Sequence, residues 1–184
     1  MTKKSNSKKI LIDADVVSHF LSGGEVFLLP KIFPFPLFVL DIVYDELKRY
    51  RKKKLEVENL INHKILTLLP FPENNQAIRK EFLYLRNKEF RGAGESACMA
   101  IARHSKDIIG SSNLKDIAIY CKKHDIVYFT TLDFIDYAYQ KSLMDEDRAN
   151  SFISKLHQAG HKIPRKVSTV QDIKPRDFNL IDEL

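Results

Sequence analysis

Three carboxylate residues of this chain stand where a folding protein gains little from a charge. Asp13 ends the short apolar run 10–12, Glu46 lies within the largely apolar segment 40–47, and Glu95 opens an alanine-rich stretch after a Gly-Ala-Gly sequence. Oxygen ligands without convergent His or Cys are typical of Mg²⁺ or Mn²⁺ sites. If the fold gathers these acids, they form a site for a hard divalent cation, which can stabilise charge on a phosphodiester.

A second set of polar residues stands close to the same places. Asp15 lies two residues after Asp13, and Ser111, Ser112 and Asn113 follow the apolar run 107–110. Because ligands of parallel α/β sheets bind beyond the carboxyl ends of the strands, both sets are expected at one edge of the sheet.

Each of these residues also has a purely structural interpretation. Asp13 can form a turn or cap a helix, and the helix dipole favours Glu95 in a first turn. Glu46 taken alone reads as one exposed acid on an amphipathic helix. Ser111 and Ser112 can hydrogen-bond phosphate, but capping of the following helix is the stronger interpretation.

The elements that must position these residues alternate between short apolar runs and helical patterns. This order predicts an α/β fold, a three-layer sandwich with a central parallel sheet of about five strands. Residues 30–36 contain three prolines and are predicted as a loop. The predicted strands are 8–13, 37–40, 65–69, 107–110 and 126–130, and the predicted helices are 16–21, 41–51, 55–62, 75–90, 94–104, 114–123, 134–143 and 146–158.

Length and composition favour one soluble domain. The chain has 184 residues, of which 44% are hydrophobic, and no apolar run approaches the length of a membrane span. We expect a flexible basic arm over 1–7, a folded domain over 8–163 and an irregular tail over 164–184. The arm lacks the apolar stretch of a signal peptide, so a cytoplasmic location without a membrane partner is expected. Cys98 and Cys121 are expected to be reduced, packed thiols.

The net charge of +6 favours an anionic partner. Six of the seven residues in 48–54 are basic, and four lysines lie among the first nine residues. One interpretation is a solvated helix end, because cations suit a helix C-terminus. The other is attraction of an RNA phosphate backbone, and the candidate RNA-binding residues are then Lys48, Arg49, Arg51, Lys52, Lys53 and Lys54.

The order and surroundings of the acids resemble those of the PIN-domain family. Its apolar strand ending in Asp is matched by 10–17, and its helix carrying Glu-Leu by 43–47. One subgroup, the VapC-like ribonucleases with a Gly-Glu helix start, is matched by 94–97. The late segments 130–132 and 152–163 also resemble that subgroup, so the resemblance covers nearly the whole chain.

The resemblance implies a metal-dependent endoribonuclease, often the toxin of a toxin–antitoxin pair. It makes Asp13, Glu46 and Glu95 ligands of Mg²⁺ or Mn²⁺ and Asp15 an auxiliary residue. RNA is the implied substrate, an antitoxin protein is an implied partner, and a homodimer is a further expectation.

One position departs from the family pattern. Where the family often has an acid after the fourth strand, the chain has Ser111, Ser112 and Asn113, and Asn113 is the expected equivalent. Asparagine can accept a hydrogen bond or coordinate through its carbonyl, but it brings no charge. The alternative is therefore a catalytically weak or inactive PIN-like module that binds RNA or protein. A phosphoacceptor receiver domain is disfavoured, because the strand 65–69 ends without an acceptor Asp.

Overall fold

The computed structural model describes residues 8–49, 51–88, 92–178 and 181, except the side chains of 51–53, 88 and 116. The predicted arm over 1–7 lies outside the described residues, as do 179, 180 and 182–184 of the predicted tail.

Five strands of the described residues form one all-parallel sheet, which confirms the predicted fold class. The central strand consists of three aliphatic residues that are fully buried, as expected of a strand covered by helices on both sides. The strand order is β3-β2-β1-β4-β5. The strands are β1 (Ile10–Ile12), β2 (Leu37–Leu40), β3 (Thr67–Leu69), β4 (Ile108–Gly110) and β5 (Tyr128–Phe129).

Helices flank the sheet and complete a three-layer sandwich. The helix after β2 packs with the next helix and with the helix before β4, which in turn packs with the helices on either side of it in the chain. The last long helix packs with the first helix and with the helix that precedes it. The helices are α1 (Ala14–Gly23), α2 (Leu29–Ile32), α3 (Asp41–Lys48), α4 (Arg51–Asn62), α5 (Gln76–Lys88), α6 (Ala93–Ser105), α7 (Leu114–His124), α8 (Thr131–Gln140) and α9 (Glu146–Gln158), followed by a 3₁₀ turn (Val170–Asp172).

The order in which strands are added to the sheet switches sides between β1 and β4. From β1 the chain proceeds outward to β2 and β3, then returns to the other side of β1 as β4. Such a switch point opens a crevice beyond the carboxyl ends of the two strands. The N–H of Asp13 donates to the carbonyl of Gly110 at 2.7 Å, so β1 and β4 end side by side.

Several local predictions about the elements were wrong. Helix α3 ends at Lys48 rather than at 51, and α4 begins at Arg51 rather than at 55. Helix α1 begins at Ala14 rather than at 16, because Asp13 accepts a hydrogen bond from the Ala14 N–H and acts as the N-cap. Helix α2 lies partly in the predicted loop, with Pro30 in its first turn, where a missing N–H costs nothing. Helix α8 begins at Thr131 rather than at 134, because Thr130 and Asp133 form a reciprocal capping box.

Other sequence expectations concern the cysteines and the membrane. Cys98 and Cys121 are both buried and form no disulfide, as predicted. No helix among the described residues is long and apolar enough to cross a bilayer.

The capping box at the start of α8 yields a prediction. Thr130→Ala removes the hydroxyl that accepts the Asp133 N–H and donates to the Asp133 carboxylate. We expect the free energy of unfolding to fall by about 1 kcal/mol, measured by urea denaturation. Thr130→Ser keeps the hydroxyl and is expected to stay close to the wild type. Equal stability of the Ala and Ser variants would show that the cap contributes nothing.

Candidate metal centre at the carboxyl edge of the sheet

Asp13 lies at the centre of the acidic site, directly after the central strand. Its side chain is buried, and its Oδ1 accepts a hydrogen bond from the Ala14 N–H at 2.8 Å. The Ser111 hydroxyl, placed by the end of β4, donates to its Oδ2 at 3.3 Å. The carboxylate is therefore fixed from both strands that flank the crevice.

Glycine at position 94 lets the first turn of α6 approach the other acids. A methyl group placed on Gly94 would lie 3.0 Å from Glu46 Oε2, 3.1 Å from Asp13 Oδ1 and 2.8 Å from Val43 Cγ2. Real Cβ atoms rarely have such close neighbours, so even alanine is too large here. The Gly94 N–H also donates to Glu46 Oε1 at 3.0 Å. This hydrogen bond joins α6 to α3 and holds the Glu46 carboxylate at the site.

The contacts around Gly92 and Gly94 limit the separation of the three predicted ligands. Glu46 Oε2 and Asp13 Oδ1 each lie about 3 Å from one point, so they are no more than about 6 Å apart. Glu46 Oε1 and Glu95 Oε2 each lie 3.8 Å from a methyl position on Gly92, so they are less than about 8 Å apart. Glu95 is buried in the first turn of α6. The fold therefore brings together all three acids.

The electrostatics of Asp13 indicate the same clustering. Burial raises the pKa of its carboxyl group well above the ordinary value. The negative charges of Asp15, Glu95 and Glu46 raise this pKa further, whereas the hydrogen bond from the Ala14 N–H lowers it. No Lys or Arg among the described residues forms an ion pair with Asp13, Asp15 or Glu46.

Asp15 extends the acidic cluster towards α7. Its Oδ2 accepts a hydrogen bond from the Ser112 N–H at 2.8 Å, and the Asn113 N–H also stabilises the charge. Burial nevertheless outweighs these hydrogen bonds and raises the pKa of Asp15 to about 6. The Asp15 carboxyl group therefore loses its proton at a higher pH than an ordinary aspartate.

The thiol of Cys98, one turn after Glu95 in α6, lies in the electrostatic field of the same carboxylates. Burial raises its pKa well above the ordinary value, and the charges of Asp13, Glu95, Glu46 and Asp15 add to this increase. Cys98 therefore stays protonated and is a packing residue.

The donor set fits a hard divalent cation, although the acids border a shared space without converging on one point. Each ligand oxygen of Mg²⁺ lies about 2.0–2.1 Å from the ion, so two of them are separated by about 4 Å at most. The described residues contain no group of three His, Cys, Asp or Glu side chains arranged closely enough to hold a metal.

The residues after β4 have different surroundings from those that the sequence suggested. Asn113 was the expected equivalent of the acid that the family often has after the fourth strand. The residue after β4 that contacts Asp13 is instead Ser111, which directly follows the strand. The side chain of Asn113 does not cap α7. The Ser112 hydroxyl accepts a hydrogen bond from the Thr131 N–H at 2.9 Å, so it joins the ends of β4 and β5 and does not cap α7.

The basic run 48–54 lies at the end of α3 and the start of α4. Lys48 pairs with Asp45 at 2.7 Å and lies over the Tyr44 ring, and Lys54 lies 3.8 Å from Glu58. Arg49 is exposed. The side chains of Arg51, Lys52 and Lys53 lie outside the described part of the chain. Each of these two lysines thus forms an ion pair with an acid of its own helix.

A pair of histidines that no sequence pattern predicted lines the same cavity as Asp15. The rings of His19 and His161 meet edge to face with centroids 4.5 Å apart. His19 Nδ1 lies 2.7 Å from the Thr131 hydroxyl, and His161 Nε2 lies 2.7 Å from the Ser22 hydroxyl. The partners are far apart along the chain, and no local spacing signals their contact.

No protein-family model matches the chain, and no curated protein matches its sequence significantly. The resemblance to the PIN-domain family therefore stays a prediction from the motifs.

The raised pKa of Asp13 yields a prediction about stability. The folded state binds a proton more tightly than the unfolded state, so Asp13 lowers stability as pH rises above about 3.8 towards its folded pKa. Asp13→Asn keeps an acceptor for the Ala14 N–H but removes the charge. We expect its free energy of unfolding, measured by urea denaturation in EDTA, to exceed that of wild type at pH 7 and to converge with it near pH 4.

Asp172→Asn is the matched control, with the opposite sign expected. The exposed Asp172 carboxylate accepts hydrogen bonds from the N–H groups of Ser168 and Thr169, which lower its pKa. Its removal should therefore reduce stability at pH 7, and this loss should disappear as the pH falls through the lowered pKa of Asp172. A loss of stability in Asp13→Asn at pH 7 would contradict the assignment of a repelled, desolvated acid.

Proposed function

We propose that this chain is a metal-dependent endoribonuclease of the PIN type that hydrolyses RNA phosphodiester bonds. The observation that carries the proposal is the gathering of four acids, Asp13, Asp15, Glu46 and Glu95, around one space at the switch point of a parallel sheet. Folding alone does not favour such a cluster, because burial and like charges both destabilise the ionised carboxylates. A bound cation would reverse that effect.

Asp13, Glu46 and Glu95 would hold Mg²⁺ or Mn²⁺, and the oxygen donor set suits either ion. Such a cation supplies charge that stabilises the phosphodiester during hydrolysis and offsets the repulsion between the acids. The chain's own residues set the geometry. Ser111 orients the Asp13 carboxylate, and the Gly94 N–H orients that of Glu46. Asp15 adds a fourth negative charge beside these ligands.

A specific observation also favours the second candidate, a PIN-like binding module with little or no catalysis. The positions that follow β4 hold Ser111, Ser112 and Asn113, none of which carries a charge. The side of the site next to β4 thus contributes hydrogen bonds rather than a fourth-strand acid. Binding of RNA or a protein without turnover is the expected behaviour of this alternative.

The expectations about biological context stay predictions from the resemblance. They are a role as the toxin of a toxin–antitoxin pair, an antitoxin partner, a homodimer and a cytoplasmic location.

The proposed reaction is tested by cleavage of a labelled single-stranded RNA in Mn²⁺. We expect wild-type cleavage to stop in EDTA and to fall at least about 100-fold in Asp13→Asn and Glu95→Gln, because each removes a ligand charge. Glu146→Gln, which neutralises an exposed acid at the start of α9, should cleave like wild type.

Two results would count against the enzyme. Cleavage that persists in both site variants would show that the acids are not the active site. An inert wild type that gains strong cleavage in Asn113→Asp would favour the binding module.

Metal binding gives a prediction that does not depend on turnover. A saturating ligand at 100 times its dissociation constant stabilises a protein by about 2.7 kcal/mol, which corresponds to roughly 5–10 °C in Tm for a chain of this size. We expect such a rise with Mn²⁺ for wild type and Glu146→Gln, measured by differential scanning calorimetry. Asp13→Asn should lose most of it. An equal rise in Asp13→Asn would place the bound ion elsewhere.

A further inference from the structure

A groove leads away from the acidic site along the turn that follows α9. Its inner part, with a volume of about 370 Å³, opens on Asp15, and its outer part of about 600 Å³ extends to Arg165. The two parts are continuous, because they share the lining residues Ser112, Gly160, His161 and Lys162. We call this feature the basic groove and define it by Asp15, Ser112 and the turn 160–165.

The turn that forms the groove is held by a set of hydrogen bonds. Gly160 has a φ of +73°, a conformation that favours glycine and ends α9. The N–H of His161 donates to the carbonyl of Leu156 at 3.0 Å, and its ring contacts Ser22 of α1. On the far side, His157 Nε2 lies 2.8 Å from the Val167 carbonyl. These contacts preform the groove, so little ordering is required when a ligand binds.

The charges in the groove are suited to an anion. Lys162 and Arg165 are exposed, and no carboxylate within the described part of the chain forms an ion pair with either. Asp15 is the acid that lines the groove, at the end next to the metal centre. By contrast, Lys48 and Lys54 of the basic run have Asp45 and Glu58 as neighbours. Cations without carboxylate partners are available to phosphates at no cost of a broken ion pair.

We propose that the basic groove binds the phosphates of a single-stranded RNA next to the bond that the acids cleave, with Lys162 and Arg165 as the main contacts. This inference rests on the proposed function, whose substrate path it specifies. The acids would repel an RNA strand at the sheet edge, and the groove supplies compensating positive charge beside them. The basic run 48–54, which the sequence suggested for this role, then contributes only general attraction.

The test is binding of a fluorescein-labelled 12-nucleotide single-stranded RNA, measured by anisotropy in EDTA so that no cleavage occurs. Each contact of a cation with a single-stranded phosphate adds about 0.7 to the slope of log K against log salt. We expect the full-length variant Lys162→Ala with Arg165→Ala to bind about tenfold more weakly than wild type at 0.1 M salt. Its salt slope should be smaller by about 1.4.

Three further double variants isolate position from net charge. Lys31→Ala with Lys80→Ala removes two exposed lysines elsewhere and should change binding less than threefold. Lys48→Ala with Lys54→Ala should behave in the same way. Lys162→Arg with Arg165→Lys keeps both charges and should bind like wild type. Wild-type affinity and slope in the Ala groove variant, or an equal loss in either distant variant, would overturn the inference.

If the groove proposal is wrong, the experiments give a different result than if the endoribonuclease proposal is wrong. RNA cleavage by wild type together with unchanged binding in the groove variant overturns the groove alone. Groove-dependent binding by a wild type that never cleaves RNA supports the groove and overturns the endoribonuclease. A wild type that binds no RNA overturns both.

Discussion

The site depends on the cost of holding negative charges close together out of water. Asp13 is buried at the end of the central strand, and three more carboxylates raise its pKa. A chain selected only for stability would replace such a residue with an uncharged one. The fold instead packs closely around the acids, and Gly94 leaves no room for a methyl group. This close packing is the main physical reason to treat the carboxyl edge of the sheet as functional.

The surrounding elements supply the stability that the acids reduce. The residues of β1 are fully buried between β2 and β4, so the backbone that carries Asp13 is held on both sides. Helix α6 buries Ala97, Ala100 and Ala102, whose small side chains let it pack closely. Close packing of α6 brings Glu95 and the Gly94 N–H to the site. The rigid core therefore holds the acids close together despite their mutual repulsion.

Local patterns were sufficient to predict much of this arrangement. The five short apolar runs predicted the strands, and the position of Asp13 after one of them predicted its edge of the sheet. Patterns in sequence could not show the contact of Ser111 with Asp13 or of His19 with His161, because these pairs are separated by 98 and 142 residues. The basic residues of the groove could not be predicted for a related reason. Lys162 and Arg165 are isolated basic residues in the sequence. The run 48–54 is prominent only because its basic residues follow one another, and its described lysines have acidic neighbours in the structure.

The site proposed for this edge of the sheet is one in which the acids share a single divalent cation. Its most direct test is anomalous diffraction from crystals of the wild-type protein soaked in Mn²⁺. The geometry predicts one anomalous peak in the space between the Asp13, Glu46 and Glu95 carboxylates, with the side chains rotated towards it. Saturating Mn²⁺ that leaves this space without a peak, while these carboxylates keep their separation, would contradict the claim.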